Sequence, residues 1–342
     1  MKTSSRLKGL DGLRALCALF ILLGHASQRD FCQWEISAIP VPTCSAYVFF
    51  AISGLLAGYR VDNTGGILSF YRKKAGRLLP LYYSYIFLSI LVFSALGRWN
   101  EILDSRLLFY LFLVPQVPFC THWGILPLVH LWFVGVIILF YALFPLFARV
   151  KDNKRKTVAI VVAATWLIVK LILRVVVGTG CFLYKIVGVT CFDVLFAGVW
   201  VGLLLKEENP ATEKMKNWPI LGLSAGLLYL CSGFYAHLIP APLRGEFIAM
   251  LALPFMVFQQ RETPLPSFEN SFWGWFGSIS YEIYVVQILV IILLSLGYSK
   301  TAIDLPSFVI YFVCVATVIG VAWCFHQALN RWNMCRLKRM AG

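Results

Sequence analysis

Ten apolar runs, separated by short polar and basic segments, are long enough to cross ~30 Å of hydrocarbon. They fall at 10–28, 43–60, 77–96, 128–148, 157–177, 186–205, 218–236, 244–259, 278–297 and 306–327. An eleventh run, 107–119, is too short and carries Pro115 and Pro118. It reads as one short re-entrant or interfacial helix. The pattern predicts an all-α polytopic membrane protein with ten transmembrane helices and that one short element.

Composition agrees with this pattern. The chain has 342 residues, 60% of them hydrophobic and only 13% charged, with a mean hydropathy of +0.77. That balance excludes an ordinary soluble domain. The net charge of +14 would suit a nucleic-acid partner, but the basic residues sit in short loops between apolar runs. The partner they imply is the lipid bilayer, and no nucleic acid is expected. With the N-terminus in the cytoplasm, the inside segments carry 21 Lys and Arg residues. The outside loops carry 6, namely Arg29, Arg98, Arg106, Lys185, Arg244 and Lys300. The asymmetry predicts cytoplasmic termini, and counting 107–119 as a crossing would spoil it.

The first apolar run is not followed by a small-residue cleavage site, so it is read as a retained helix. No soluble domain, low-complexity tract or repeat is apparent, so 1–342 is expected to form a single membrane domain with no appended soluble domain. None of the ten cysteines forms a close Cys/His set with zinc spacing, and no metal site is expected. Cys32 and Cys44 share the first outside loop, where their spacing leaves a disulfide open.

Charges inside the spans are the candidates for chemistry, because ionisable groups there are rare and face the bundle interior or a wet cavity. Arg14 and His25 lie eleven residues apart in the first run. At ~100° per residue they share one helix face, with a rise of ~16 Å between them. Arg14 can hold an anionic group, and His25 can move a proton near neutral pH. Asp11 either caps this helix or holds Arg14 in position. Lys170 and Arg174, four residues apart, share a face of the fifth span, and Asp193 lies at comparable depth in the sixth. These three read either as an internal salt bridge or as an outward-facing pocket for a sugar or anionic glycan. His122, His237 and His326 lie near span ends or in loops, where an ordinary structural role is preferred.

Five ordered motifs carry a resemblance to a known family. They are Leu10-Asp11-Gly12-Leu13-Arg14-Ala15 with Gly24-His25; Phe49-Phe50-Ala51-Ile52-Ser53-Gly54; and Phe70-Tyr71-Arg72-Lys73-Lys74-Ala75-Gly76-Arg77-Leu78-Leu79-Pro80. His130-Leu131-Trp132-Phe133 with Phe140-Tyr141 and Pro145, and Gly277-Ser278-Ile279-Ser280-Tyr281-Glu282-Ile283-Tyr284, complete the set. Together they resemble the membrane acyltransferase 3 family. The resemblance implies transfer of an acyl group, usually acetyl from acetyl-CoA, to a hydroxyl of a surface or exported glycan.

On that reading acyl-CoA is a donor substrate and no cofactor is bound. The acceptor is a glycan or a lipid-linked sugar, and the protein is expected in the plasma (inner) membrane. His25 is the expected general base or transient acyl carrier. Arg14, Arg72, Lys74 and Arg77 are the expected donor-binding groups, with Asp11, Trp132 and Tyr281 in support. Lys170, Arg174 and Asp193 are the candidate acceptor site. Ser53 and Gly54 are assigned to close helix packing, and Tyr281 and Tyr284 to packing or orientation.

The chain departs from the family pattern at three places. Lys74 stands where the family has the first Arg of Arg-x-x-Arg. Val136, Ile137 and Ile138 fill a stretch where many members carry Glu. Gln287 stands near a common His. Two other function classes remain open from sequence: a transporter that flips a lipid-linked sugar, and an acyltransferase-like protein that has lost activity.

Overall fold

The computed structural model describes residues 7–27, 42–64, 66–217, 219–231, 238, 243–262, 264, 267–301 and 305–341. Among these residues the regular structure is helical, with no strand. The helices are α1 (Leu10–Ser27), α2 (Pro42–Tyr59), α3 (Ile67–Ala95), α4 (Leu107–Leu111), α5 (Gln116–Cys120), α6 (Trp132–Ala148), α7 (Asp152–Val176) and α8 (Phe182–Thr190). They continue as α9 (Phe192–Lys206), α10 (Pro210–Asn217), α11 (Pro219–Leu230), α12 (Arg244–Phe258), α13 (Ser271–Ser278), α14 (Ser280–Tyr298) and α15 (Ser307–Ala341).

Among the described residues, seven segments are long and apolar enough to cross a membrane: Leu10–Ser27, Ile67–Ala95, Val129–Ala148, Asp152–Val176, Phe182–Lys206, Ser280–Tyr298 and Ser307–Arg331. The chain is thus a polytopic helical membrane protein. Three of the ten expected spans correspond to shorter helices, α2, α11 and α12. The end of the expected span 218–236 lies partly outside the described residues, as do His237 and Cys32 of the possible Cys32–Cys44 disulfide.

Helix α1 is central and packs on α2, α13, α14 and α15. Helix α2 lies against α9 at backbone distance. A Cβ at Gly54 would stand 1.9 Å from the Leu195 carbonyl oxygen, and one at Gly58 would stand 2.2 Å from that of Val199. Gly198 and Gly202 of α9 approach the carbonyls of Ala51 and Leu55 in the same way. Two Gly-x-x-x-Gly faces therefore mesh, as expected where helices associate by close packing. Gly54 has the packing role assigned to it. Helix α7 presents Ile160, Val161, Ile168 and Ile172 outward, as a lipid-facing helix does.

Three local readings are corrected. The basic segment 72–77 is not a loop, because α3 begins at Ile67, ten residues ahead of the expected span. Nothing between Ile67 and Ala75 breaks a helix, and Gly66 supplies extended entry backbone. The run 107–119 is not one helix. Leu113 takes the left-handed conformation (φ 64°) and Pro115 follows, so the chain forms two five-residue helices, α4 and α5. A residue before proline is biased away from helix, which places the break there. The sixth span is likewise divided at Cys191 (φ 51°), between α8 and α9.

Ion pairs gather the segments around 62, 155 and 206 at one end of the bundle. Arg155 reaches Asp62 at 2.7 Å, Lys206 also pairs with Asp62, and Lys156 reaches Glu207 at 2.5 Å. Lys206, and with it Arg155, holds the Asp62 carboxyl below the usual carboxylate range.

Candidate functional site

A cavity of about 210 Å³ opens among α1, α2, α3, α6 and α14. Each long helix contributes one face at helical spacing: Phe49, Ser53, Leu56 and Ala57 from α2, with Arg60 in the turn just after it; Phe70, Lys73, Lys74, Arg77 and Leu78 from α3; Phe133, Ile137, Tyr141 and Phe144 from α6. Arg14 enters from α1, and Tyr281 and Tyr284 enter from α14. Five cationic side chains thus line one cavity whose wall holds no carboxylate. Arg14 pairs with Asp11 at 3.5 Å and is close enough to Arg77 to feel its charge. Lys74 lies 3.9 Å above the Tyr141 ring, a cation–π contact.

Among the described residues Arg60, Lys73, Lys74 and Arg77 form no ion pair. Cations held together without counter-charges repel one another, and a polyanionic ligand relieves that repulsion. Arg14, Arg60, Arg77 and Tyr281 also line an adjoining cavity of about 560 Å³, with Asp11, Glu282 and His326 on its far wall. His326 lies 2.7 Å from Glu282, consistent with a structural role.

Three of the four expected donor-binding residues, Arg14, Lys74 and Arg77, meet here. Arg72 does not line the cavity. On α3 it is ~140° round from Arg77, five residues at ~100° each, and it is exposed. Lys73, expected only as a member of the basic cluster Arg72-Lys73-Lys74, takes part, and so does Arg60, which had been counted only as an inside charge. The i, i+3, i+4, i+7 spacing of Phe70, Lys73, Lys74 and Arg77 was concealed by the reading of 72–77 as a loop. Ile137 occupies the cavity wall in the stretch where many family members carry Glu.

Tyrosines fix this geometry. Tyr281 donates from its hydroxyl to the Leu78 carbonyl at 3.0 Å, and Tyr284 donates to the carbonyl of His130. The pair thereby clamps α14 to α3 and to the turn before α6, as the orienting reading expected. Tyr71 donates to the Ala142 carbonyl at 2.7 Å, tying α3 to α6. Trp132 stacks on Phe119 with ring centroids 4.9 Å apart and meets Phe50 edge-on at 6.0 Å.

His25 lies in the last turn of α1, near enough to His130 for the two rings to interact electrostatically. His130 is buried, and its Nε2 lies 2.8 Å from the Val285 carbonyl oxygen. Sequence reading used His130 only as part of a motif.

The second charge cluster differs from its expected form. Lys170, 2% exposed, lies 2.8 Å from Asp193 and also pairs with Glu246 of α12. Glu246 was not foreseen, because nothing in its spacing ties it to Lys170, 76 residues earlier. Arg174 is not part of this network. The buried arrangement is therefore one cation between two carboxylates, whereas two cations facing one carboxylate had been expected. Lys170 and Tyr47 reach a second cavity, of about 550 Å³, with His122, Tyr184, Lys185 and Val129 in its wall. Tyr47 meets Phe50 at 6.4 Å, and Phe50 stacks on Phe133 at 4.5 Å. Phe50 thus packs between Tyr47, which lines one cavity, and Phe133, which lines the other.

Fold and site define a helical membrane protein with a cavity lined by five cationic side chains. The model of the acyltransferase domain of family 3 matches residues 7–327; the chain belongs to that family. It is similar to the O-acetyltransferase OatA of Staphylococcus aureus strains NCTC 8325 / PS 47, COL and MRSA252, at 27% identity over 155 residues. The match covers 41% of this chain and 24% of those relatives, so it spans about a quarter of their length. No solved structure matches.

Proposed function

We propose that the protein transfers an acyl group, acetyl from acetyl-CoA in the first instance, to a hydroxyl of a cell-surface or exported glycan. The observation that carries this reading is the cavity of five cations with no carboxylate in its wall. Phosphates of an acyl-CoA supply the charge that such a wall lacks. Arg14, Arg60, Lys73, Lys74 and Arg77 would hold them, and the apolar upper wall at Phe49, Phe133 and Tyr284 suits an acyl thioester.

The acceptor approaches through the second cavity, beside Lys170 and His122, with Asp193 and Glu246 holding Lys170 in place. His25 accepts the proton of the acceptor hydroxyl as its oxygen attacks the thioester carbonyl. The carbon–sulfur bond breaks, and the departing thiolate takes up a proton. If His25 instead carries the acyl group transiently, the same bonds break in two steps.

Ten crossings with both termini cytoplasmic, in a plasma membrane, complete the proposal. The 21-to-6 charge asymmetry supports that topology, as do the ion pairs joining segments 62, 155 and 206 at one end. It puts Arg14 and Lys74 on the side where acyl-CoA is made, and His25 towards the other.

The test is transfer of label from radiolabelled acetyl-CoA to p-nitrophenyl glycosides by the purified full-length protein. Wild type should transfer label, and His25→Ala should transfer ~10²–10⁴-fold more slowly while still binding donor. A His25→Ala protein with wild-type turnover removes His25 from the mechanism. Movement of a lipid-linked sugar without donor turnover would favour a flippase.

A further inference from the structure

His130 is held on every side but one. Its ring lies edge-on to Tyr85 at 5.5 Å and beside Tyr284 at 5.5 Å. Tyr284 also fixes its backbone carbonyl. Nε2 lies 2.8 Å from the Val285 carbonyl oxygen, and a carbonyl only accepts, so Nε2 carries the hydrogen and donates. The other nitrogen, Nδ1, then bears a lone pair. That Nδ1 is buried and has no hydrogen-bond partner, in a residue 4% exposed.

A buried acceptor left unmet costs about as much as a lost hydrogen bond, so an acceptor kept this way in a locked ring calls for a donor that arrives with a ligand. Three observations say which ligand. His130 is close enough to His25 for their charges to interact. Its neighbour Val129 lines the second cavity, and Phe133, one turn further on, lines the cationic one. His130 thus lies in the chain between a residue that lines one cavity and a residue that lines the other.

We propose that His130 Nδ1 receives a hydrogen bond from a second polar group of the glycan acceptor, a hydroxyl or amide N–H adjacent to the hydroxyl that is acylated. It thereby selects sugars that carry a donor at that neighbouring position and turns the reacting hydroxyl towards His25. The inference rests on the acyl-transfer reading and adds a specificity determinant to it. His130 makes and breaks no covalent bond and holds no proton of the reaction.

Two substitutions separate this role from a structural one. In His130→Gln the side-chain amide nitrogen can replace Nε2 and keep the Val285 bond, while the acceptor at Nδ1 is lost. In His130→Asn a polar atom remains near the Nδ1 position, while the bond to Val285 is lost. The experiment measures acyl transfer from radiolabelled acetyl-CoA to the best substrate in a panel of p-nitrophenyl hexosides and N-acetylhexosaminides. It then measures transfer to the analogues of that glycoside lacking one hydroxyl or the acetamido group. Binding of labelled acetyl-CoA is followed in parallel.

Wild type should lose roughly tenfold or more in kcat/KM when the one neighbouring donor group is removed. His130→Gln should bind acetyl-CoA normally, start at that lower kcat/KM with the complete glycoside, and lose nothing further on the same deoxy analogue. His130→Asn should be less thermostable yet recover part of the acceptor kcat/KM. A His130→Gln protein with wild-type kcat/KM, or with the same deoxy penalty as wild type, overturns the inference and leaves the acyl-transfer reading standing. Failure of wild type to acylate any glycoside while still binding acetyl-CoA overturns both.

Discussion

The cationic cavity and the Lys170 cluster both gather basic side chains between helices, but they are built in opposite ways. Around Lys170 the charge is answered within the protein: one ammonium lies between Asp193 and Glu246, and all three are buried. Around Arg77 there are cations from α1, from α3 and from the turn after α2, and no carboxylate in the wall. The first pairs its cation within the protein; in the second, Arg60, Lys73, Lys74 and Arg77 form no ion pair among the described residues. Depth alone would have ranked Lys170 above Lys74 as a functional group. Charge balance reverses the order, because a buried ion already paired has little left to offer a ligand.

The largest effect expected from this contrast is on Lys170. Lys170→Met should leave two carboxylates facing each other in the bundle and cost ~3–5 kcal/mol of stability, the usual penalty for breaking a buried pair from one side. Thermal unfolding in detergent measures it. Combining Lys170→Met with Asp193→Leu and Glu246→Leu should restore most of the loss. A single variant as stable as wild type would show that the cluster is not a mutually neutralised unit.

A smaller effect is expected in the cavity. Lys74→Arg restores a planar fork that can meet phosphate bidentately, and should lower the half-saturating acetyl-CoA concentration by roughly 2–5-fold, an effect of ~0.5–1 kcal/mol. Donor saturation curves at fixed acceptor decide it. Weaker donor use would mean that the Lys74 contact with Tyr141 matters more than its charge.

The smallest effect concerns Asp62, which is half exposed. Its carboxyl is held low by Lys206 and Arg155, so its contribution is present at neutral pH, above the unfolded carboxylate value of ~3.9. It fades as pH falls through the lowered folded value. Asp62→Asn should therefore reduce Tm by about 1–2 °C at pH 7, with the gap to wild type closing below about pH 4. A gap that does not narrow as pH falls below about 4 would contradict the pairing.

The apolar helices were legible in the sequence because a bilayer demands long uninterrupted runs. Arg14 could be picked out because a charge inside an apolar span is rare, and it lines the cationic cavity; His25, eleven residues on, lines none of the three cavities described. What was hidden depended on three-dimensional proximity or on a misplaced boundary. Glu246 meets Lys170 only after the bundle forms. The face shared by Lys73, Lys74 and Arg77 was obscured when α3 was started at Arg77, because loop residues have no face. His130 looked like a motif letter until the Val285 carbonyl fixed one nitrogen and left the other bare. Alternation of charge and apolarity cannot signal a hydrogen bond that is missing.

Equilibrium binding of radiolabelled acetyl-CoA to the purified full-length protein tests the contrast most directly, with Arg77→Ala and the Lys170→Met, Asp193→Leu, Glu246→Leu triple variant compared side by side. The account expects Arg77→Ala to bind at least about tenfold more weakly, as befits loss of a charge-assisted phosphate contact, and the triple variant to bind like wild type. Wild-type affinity in Arg77→Ala, or a comparable loss in a well-folded triple variant, would contradict it.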